Sequence, residues 1–258
     1  MIVVFSDLDG TLLDHETYSF EPARPALRLL AESGIPLILA SSKTEAEMRP
    51  IAREMGLDQP LIVENGAGIA YPETESAAEG GSHYEALRAM LHALPEPLCD
   101  LFRGFGDWTE QEVAQLTGLA LEDARLAKDR RFSEPGLFSG SQDEKAEFLR
   151  LIADKGYQAI QGGRFFTVMP KTSKAQRMAE IAAHYAAETG APVDIIALGD
   201  APNDLEMLQT ADTGVIIANP AHLALPVTER ERTGHILRSD KAGPAGWNDM
   251  ILRIVGAK

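Results

Sequence analysis

The chain begins with a short apolar run that leads into a pair of aspartates. Residues 2–5 read Ile-Val-Val-Phe, and Asp7-Leu8-Asp9-Gly10 follows after a single serine. A β-branched and aromatic run of this kind predicts a strand buried on both faces, as in a parallel sheet covered by helices. Loops beyond the carboxyl ends of such strands carry the ligands of open α/β sheets. The feature therefore predicts an α/β fold with a functional site in the first loop.

The same pattern of an apolar run followed by polar residues recurs along the chain. Residues 35–40 precede Ser41-Ser42-Lys43-Thr44, residues 61–63 precede Glu64-Asn65-Gly66, and residues 195–198 precede Gly-Asp-Ala-Pro-Asn-Asp at 199–204. Helical patterns lie between these runs. The first covers residues 22–33, and the second begins at the capping box Thr44-x-x-Glu47 and is expected to kink at Pro50. A third helix begins at Lys174. We predict a doubly wound, Rossmann-like parallel sheet.

The middle of the chain has a different organisation. Residues 73–82 lack periodicity and are predicted to be a linker. Beyond them come capped helices, a mixed apolar run at 98–105 predicted as a strand, and two strand-like runs around Gly162-Gly163. Hairpin-paired strands with helices between them predict an α+β unit. We therefore expect a core of residues 1–80 and 171–258, interrupted by an inserted α+β cap of residues 83–169.

Composition excludes several classes of partner. The 258 residues carry a net charge of −15, which argues against nonspecific binding to nucleic acid or to anionic membranes. A single cysteine, Cys99, excludes an internal disulfide and predicts a reducing compartment. No run approaches the roughly 18 apolar residues of a membrane span, and no signal peptide is recognisable. A cytoplasmic protein is expected, and its oligomeric state is left open.

The residues at the strand ends suit phosphoryl transfer. One of the two N-terminal aspartates can attack phosphorus while the other handles the proton of the leaving oxygen, and their spacing does not decide which does which. The hydroxyl of Ser41 is placed to bind a phosphoryl oxygen, with Ser42 as the alternative. Lys174 would neutralise charge, with Lys171 as its rival. Carboxylates at several strand ends also suit Mg²⁺. The candidate metal ligands are Asp7, Asp9 (through its backbone carbonyl), Asp200 and Asp204.

These motifs resemble those of the haloacid dehalogenase superfamily. The resemblance rests on Asp-Leu-Asp-Gly-Thr-Leu-Leu at 7–13, Ser41, Lys174 and the acidic motif at 199–204, which occur in that order. It implies that Asp7 is the nucleophile, that Asp9 is the general acid and base, and that an aspartyl phosphate forms with Mg²⁺ as cofactor. Two roles stay open for Asp204: it would bind the metal through a water molecule, or it would orient Lys174.

Within that superfamily the chain resembles the mannosyl-3-phosphoglycerate phosphatases. The matching pieces are residues 41–44, 62–66, 118–119 with Ala124, 162–165, 199–204 and 243–247. The family often has Asp-Lys-Gly where this chain has Ser173-Lys174-Ala175. The resemblance implies a small phosphorylated glycoside as substrate, hydrolysed to mannosylglycerate and phosphate. Glucosyl-3-phosphoglycerate or another sugar phosphate is the alternative. A non-enzymatic phosphoacceptor module is a further alternative, which Asp9 and the cap-sized insertion argue against.

Substrate recognition is predicted to involve four further residues. A glyceric acid ester carries a carboxylate, and the planar fork of an arginine can bond both of its oxygens. Arg164 is predicted to do so because the two preceding glycines let a hairpin approach the core. Lys43 would assist from the core side, and Glu64 and Asn65 would offer partners for sugar hydroxyls.

Overall fold

The computed structural model describes residues 1–72, 80–162, 164–221 and 224–256. The strands are, in chain order, β1 (Ile2–Ser6), β2 (Leu37–Leu39), β3 (Leu61–Val63), β4 (Gly68–Ala70), β5 (Phe102–Gly104), β6 (Glu134–Phe138), β7 (Tyr157–Gly162), β8 (Phe165–Pro170), β9 (Asp194–Gly199), β10 (Thr213–Ala218) and β11 (Ile236–Ala242). The helices are α1 (Arg24–Glu32), α2 (Glu45–Glu54), α3 (Gly80–His92), α4 (Leu98–Leu101), α5 (Glu110–Thr117), α6 (Leu121–Lys128), α7 (Gln142–Asp154), α8 (Lys174–Thr189), α9 (Leu205–Thr210), α10 (Glu229–Arg232) and α11 (Gly243–Val255).

A parallel sheet with helices on both faces forms the core. Its strand order is β11-β10-β9-β1-β2, and a bridge between Ala40 and Ile62 places the β3–β4 hairpin beside β2. Alternate residues of β1 point to opposite faces, so Val4 packs with α1, α2 and α11, while Phe5 packs with α8 and α9. Covering both faces explains why the first four residues of β1 are all apolar. The predicted α/β fold with a parallel sheet is confirmed.

A second, antiparallel sheet forms the inserted unit. Its strand order is β5-β6-β8-β7. Helices α3 and α7 pack on one face through residues such as Leu87 and Phe148, and α5 and α6 cluster with Phe105 and Trp108. This is the α+β cap that the hairpin pattern predicts. The division into a core of residues 1–80 and 171–258 and a cap of residues 83–169 stays our proposal, since it also depends on residues 73–79, which lie outside the described residues.

Several elements differ from the sequence prediction. The run at 98–105 is not one strand, because Leu98–Leu101 forms the short helix α4 before β5 begins. Helix α2 runs as one helix through Pro50, so Pro50 does not end it, and the kink stays a prediction. The predicted linker 73–82 falls largely on residues outside those described, and α3 begins at Gly80. The predicted turn at Gly162-Gly163 includes Gly163, which is also outside them.

None of the described helices has the length and the apolar composition that crossing a membrane requires.

Candidate functional site

The functional side chains meet at the carboxyl ends of the core strands. Asp7 follows β1, Ser41 lies just beyond β2, and Asp200 follows β9, which pairs directly with β1. Gly10 turns the chain beyond the aspartate pair with φ of 78°, and a Cβ there would lie 2.3 Å from Nδ2 of Asn219. Glycine is therefore required at this turn both for its backbone conformation and for the close approach of Asn219.

A buried lysine bridges two buried carboxylates at the centre of the site. Nζ of Lys174 donates to Oδ1 of Asp7 at 2.6 Å and to Oδ1 of Asp204 at 2.7 Å. The other oxygen of Asp204 accepts the backbone N–H groups of Asp200 and Ala201. Asp204 therefore fixes both the lysine and the acidic loop.

The charges of this cluster are strongly perturbed. Burial, together with repulsion from Asp204 and Asp200, raises the pKa of Asp7 well above its usual range, although Lys174 opposes the shift. Burial lowers the pKa of Lys174, but attraction to Asp204 and Asp7 outweighs burial and holds this pKa above its usual range. Perturbed groups of this kind are typical of functional sites.

The acidic residues of the cluster fit a divalent cation. One oxygen each from Asp7, Asp200 and Asp204 lie within 4.8 Å of one another, and all three residues are buried. Three ionised carboxylates beside one lysine leave a net charge of −2, which a divalent cation would balance. Oxygen ligands suit a hard cation. Asp200 is held in place by Oγ1 of Thr11 at 2.6 Å and Nδ2 of Asn219 at 2.7 Å. The side chain of Asp9 lies outside this cluster.

Asp9 is instead paired with a lysine on the neighbouring loop. Nζ of Lys43 lies 3.1 Å from Oδ1 of Asp9, and the side chain of Asp9 is 33% exposed. Burial lowers the pKa of Lys43, but the charges of Asp9 and Glu47 raise it above its usual range. The positive charge of Lys43 thus lies beside the partly exposed side chain of Asp9.

A cavity of about 300 Å³ lies between this loop and the cap. Core residues Lys43 and Asn65 line one side, and Arg130 with Phe165 lines the other. Nη1 of Arg130 donates to the backbone oxygen of Ser42 at 3.1 Å. The cavity therefore presents the cations of Lys43 and Arg130 together with the carboxyl groups of Glu47 and Glu64.

The remaining predicted residues occupy different surroundings. Oγ of Ser41 accepts the backbone N–H of Lys43 at 3.3 Å, and Ser41 is buried. Arg164 is exposed at the turn between β7 and β8, where its neighbours Gly162 and Phe165 line the cavity. Lys171 is exposed and donates to the backbone oxygen of Ala153. The structure thus places Lys174, rather than Lys171, beside Asp7.

Glu64 is buried and already bonded to the cap. Its carboxylate accepts backbone N–H groups of Arg131 at 2.9 Å and Ser133 at 2.7 Å, and the hydroxyl of Ser133 at 2.6 Å. A sugar hydroxyl would have to compete with these bonds. The side chain of Asn65 accepts a hydrogen bond from Nδ2 of Asn203 at 3.1 Å.

Sequence reasoning missed three residues of the site. Thr11 lies inside the first motif, and Asn219 directly follows β10, so the strand-end rule could have found Asn219. Arg130 belongs to a Lys-Asp-Arg-Arg run in the cap that looks like a solvated surface. No pattern in the sequence shows that Arg130 reaches the core.

Comparison with known proteins supports the same family as the motifs. The family model described as haloacid dehalogenase-like hydrolase matches residues 4–100 and 139–229. Two curated relatives carry the name glucosyl-3-phosphoglycerate/mannosyl-3-phosphoglycerate phosphatase. The relative from Persephonella marina is 34% identical over 98% of this chain and 97% of its own length. The relative from Methanococcoides burtonii is 33% identical with the same coverage.

Solved structures share the fold. The sucrose-phosphatase from Synechocystis, solved with sucrose and phosphate, superposes with a TM-score of 0.63 at 15% identity, covering 98% of this chain and 97% of that one. A haloacid dehalogenase-like hydrolase from B. subtilis gives 0.63 at 17% identity, covering 98% and 100%. With the family model matched over most of the core and two relatives matched over nearly the full length, this chain belongs to the haloacid dehalogenase-like hydrolases.

Proposed function

We propose that the chain is a Mg²⁺-dependent phosphatase that hydrolyses mannosyl-3-phosphoglycerate to mannosylglycerate and phosphate. The observation that carries the proposal is the buried Asp7–Lys174–Asp204 cluster at the carboxyl ends of the core strands. The full-length similarity to relatives named for glucosyl- and mannosyl-3-phosphoglycerate supports this substrate class. The choice of mannosyl over glucosyl rests on the sequence motifs.

In the first step, a carboxylate oxygen of Asp7 attacks phosphorus while the P–O bond to the alcohol breaks. Lys174 holds the attacking carboxylate in place through its bond to Oδ1. Asp9 gives its proton to the departing alkoxide, which is a poor leaving group without it. Lys174 and the Ser41 hydroxyl stabilise charge on the phosphoryl oxygens. Phosphoryl-Asp7 and the free alcohol result.

In the second step, water attacks the phosphorus of phosphoryl-Asp7. Asp9, now ionised, takes a proton from that water, and phosphate leaves with Asp7 restored as a carboxylate. A Mg²⁺ ion held by Asp7, Asp200 and the backbone carbonyl of Asp9, with Asp204 as a further candidate, would supply charge neutralisation for a dianionic phosphate entering an acidic site.

The alcohol portion of the substrate would occupy the cavity between core and cap. Its carboxylate is the second anionic group, and we propose that Arg164 binds it with help from Lys43. Asn65 lines the cavity and offers an amide to a sugar hydroxyl. These assignments explain how a chain with a net charge of −15 could hold an anionic ester.

The direct test is phosphate release from a panel of esters in the presence of Mg²⁺. The panel contains mannosyl-3-phosphoglycerate, glucosyl-3-phosphoglycerate, 3-phosphoglycerate, mannose 6-phosphate and p-nitrophenyl phosphate. We expect the highest kcat/KM for mannosyl-3-phosphoglycerate. A higher kcat/KM for the glucosyl ester would mean that glucose, rather than mannose, is the preferred sugar. A higher kcat/KM for mannose 6-phosphate would mean that the site does not recognise the glycerate group.

A further inference from the structure

The turn that follows β3 bonds the cap to the core through a single carboxylate. Glu64 is 1% exposed, although a carboxylate is normally solvated. Its Oε1 accepts the N–H of Arg131 at 2.9 Å. Its Oε2 accepts the N–H of Phe132 at 3.3 Å and both the N–H and the hydroxyl of Ser133, at 2.7 and 2.6 Å. Three successive peptide N–H groups thus point at one anion.

This arrangement is strong enough to hold a segment in place. Hydrogen bonds to a charged acceptor are shorter and roughly twice as strong as those between neutral groups. Successive N–H groups form a concave anion site of the kind that otherwise binds phosphate. Nη1 of Arg130, 3.8 Å from Oε2, adds a positive charge. Among the described residues, the groups shown to compensate this desolvated carboxylate belong to the cap segment 130–133.

The clamped segment leads directly into the wall of the cavity. Ser133 precedes β6, and Pro135 of β6 lines the cavity together with Arg130. Other contacts run alongside: Oγ1 of Thr44 donates to the backbone oxygen of Leu126 at 2.9 Å. The bonds to Glu64 are therefore among the contacts that set the position of this wall relative to the core.

The backbone of the same turn is bonded to the catalytic loops. The N–H of Glu64 donates to the oxygen of Lys43, and the N–H of Asn65 donates to the oxygen of Ser41, both at 2.9 Å. Gly66 lies so close to Lys174 that a Cβ atom added at Gly66 would be 2.3 Å from the backbone nitrogen of Lys174. One three-residue turn thus touches the cap, the predicted phosphate-binding loop and the start of the helix that carries the lysine.

We propose that Glu64 is a positioning residue that fixes the cap segment 131–133 on the core and so sets the cavity for the alcohol portion of the substrate. This role rests on the proposed function for its substrate, and it takes the place of the sugar contact predicted for Glu64. Loss of the clamp leaves the chemical groups of the site in place but lets the cap wall move away from them.

The experiment compares wild type with Glu64→Gln, which keeps the side-chain shape but removes the charge and one acceptor oxygen. Hydrogen exchange followed by mass spectrometry or NMR reports the protection of the amides at 131–133. Steady-state kinetics give kcat and KM for mannosyl-3-phosphoglycerate and for p-nitrophenyl phosphate, whose leaving group has neither a sugar nor a carboxylate. Glu45→Gln is the matched control, because Glu45 pairs with the side chain of Arg131 from a partly exposed position.

We expect protection at 131–133 to fall at least tenfold in Glu64→Gln. We also expect the ratio of kcat/KM for the glycosylated ester to that for p-nitrophenyl phosphate to fall at least tenfold, chiefly through KM. Glu45→Gln should change both quantities less than threefold. Ser133→Ala, which removes only the hydroxyl bond, should shift both in the same direction by a smaller factor and serves as the main variant if Glu64→Gln does not fold.

Unchanged protection at 131–133 in these variants would overturn the clamp. So would equal losses on the two substrates, which indicate a general defect of the fold. If the wild-type protein does not hydrolyse mannosyl-3-phosphoglycerate, the proposed function fails, but the exchange rates still decide whether Glu64 holds the cap.

Discussion

Replacing Lys174 by methionine tests whether the buried cation is needed to balance the acids around it. The side chain of Lys174 is 1% exposed and lies 2.6 and 2.7 Å from two carboxylates that are themselves buried. Methionine conserves most of the volume, so the change removes charge rather than packing. Removing one partner of a buried ion pair costs about 3–5 kcal/mol because an uncompensated charge stays buried.

The assay is urea unfolding at pH 7 with EDTA present for every variant. Lys174→Met should lower the free energy of unfolding by about 3–5 kcal/mol, which is roughly a hundredfold to a few thousandfold in the unfolding equilibrium. Lys171→Met is the matched control three residues away. Lys171 is exposed and bonds only a backbone oxygen, so its loss should cost less than about 1 kcal/mol. A loss below about 1 kcal/mol for Lys174→Met would refute the reasoning, since the acids would then tolerate burial by taking up a proton.

Further predictions concern the chemistry and the cap. Asp7→Asn should abolish turnover without unfolding the protein, and a loss of tenfold or less in kcat would contradict its role as nucleophile. Asp9→Asn should be impaired most on esters whose leaving oxygen needs a proton, as a comparison with p-nitrophenyl phosphate would show. EDTA should remove activity and Mg²⁺ restore it, with Ca²⁺ a poor substitute because its looser coordination misplaces the oxygens; full activity after exhaustive chelation would exclude a metal. Arg164→Ala should lower kcat/KM on mannosyl-3-phosphoglycerate by about 10- to 150-fold, the worth of one charge-assisted pair, and change a carboxylate-free ester far less. Burial raises the pKa of Glu134 in the cap, so the folded state holds this proton more tightly than the unfolded chain. The stability of wild type relative to Glu134→Gln should therefore decrease as pH rises through that raised pKa, as urea unfolding at pH 4 to 7 would show.

The strand ends of the core could be predicted from sequence because burial on both faces leaves an apolar run that stops abruptly. Asp7, Ser41 and Asp200 were found in this way. Three strands, β4, β6 and β11, were missed for physical reasons. β4 is only three residues long and begins with a glycine. β6 contains Pro135 and Gly136, which usually argue against a strand, and β11 is an edge strand whose second half is polar and exposed.

Contacts between core and cap could not be predicted from the sequence. Glu64 and Ser133 are 69 positions apart, and Arg130 reaches Ser42 across 88 positions. Each residue looks locally like a surface charge or a loop polar group. Only the docking of the two sheets gives these side chains their partners, and periodicity carries no information about that docking.

The strand order of the core sheet also affects how the chain folds while the ribosome is synthesising it. β1 leads into the first aspartates, yet one of its two neighbours is β9, which begins at Asp194. At about 5–20 residues per second, a ribosome needs roughly 10–40 seconds to add that partner after β1 has been synthesised. All four strands of the cap sheet emerge during this interval, while one edge of β1 is still unpaired. Pairing with β2 covers only the other edge of β1, so the edge that β9 later occupies stays open to pairing with other chains until β9 has been synthesised.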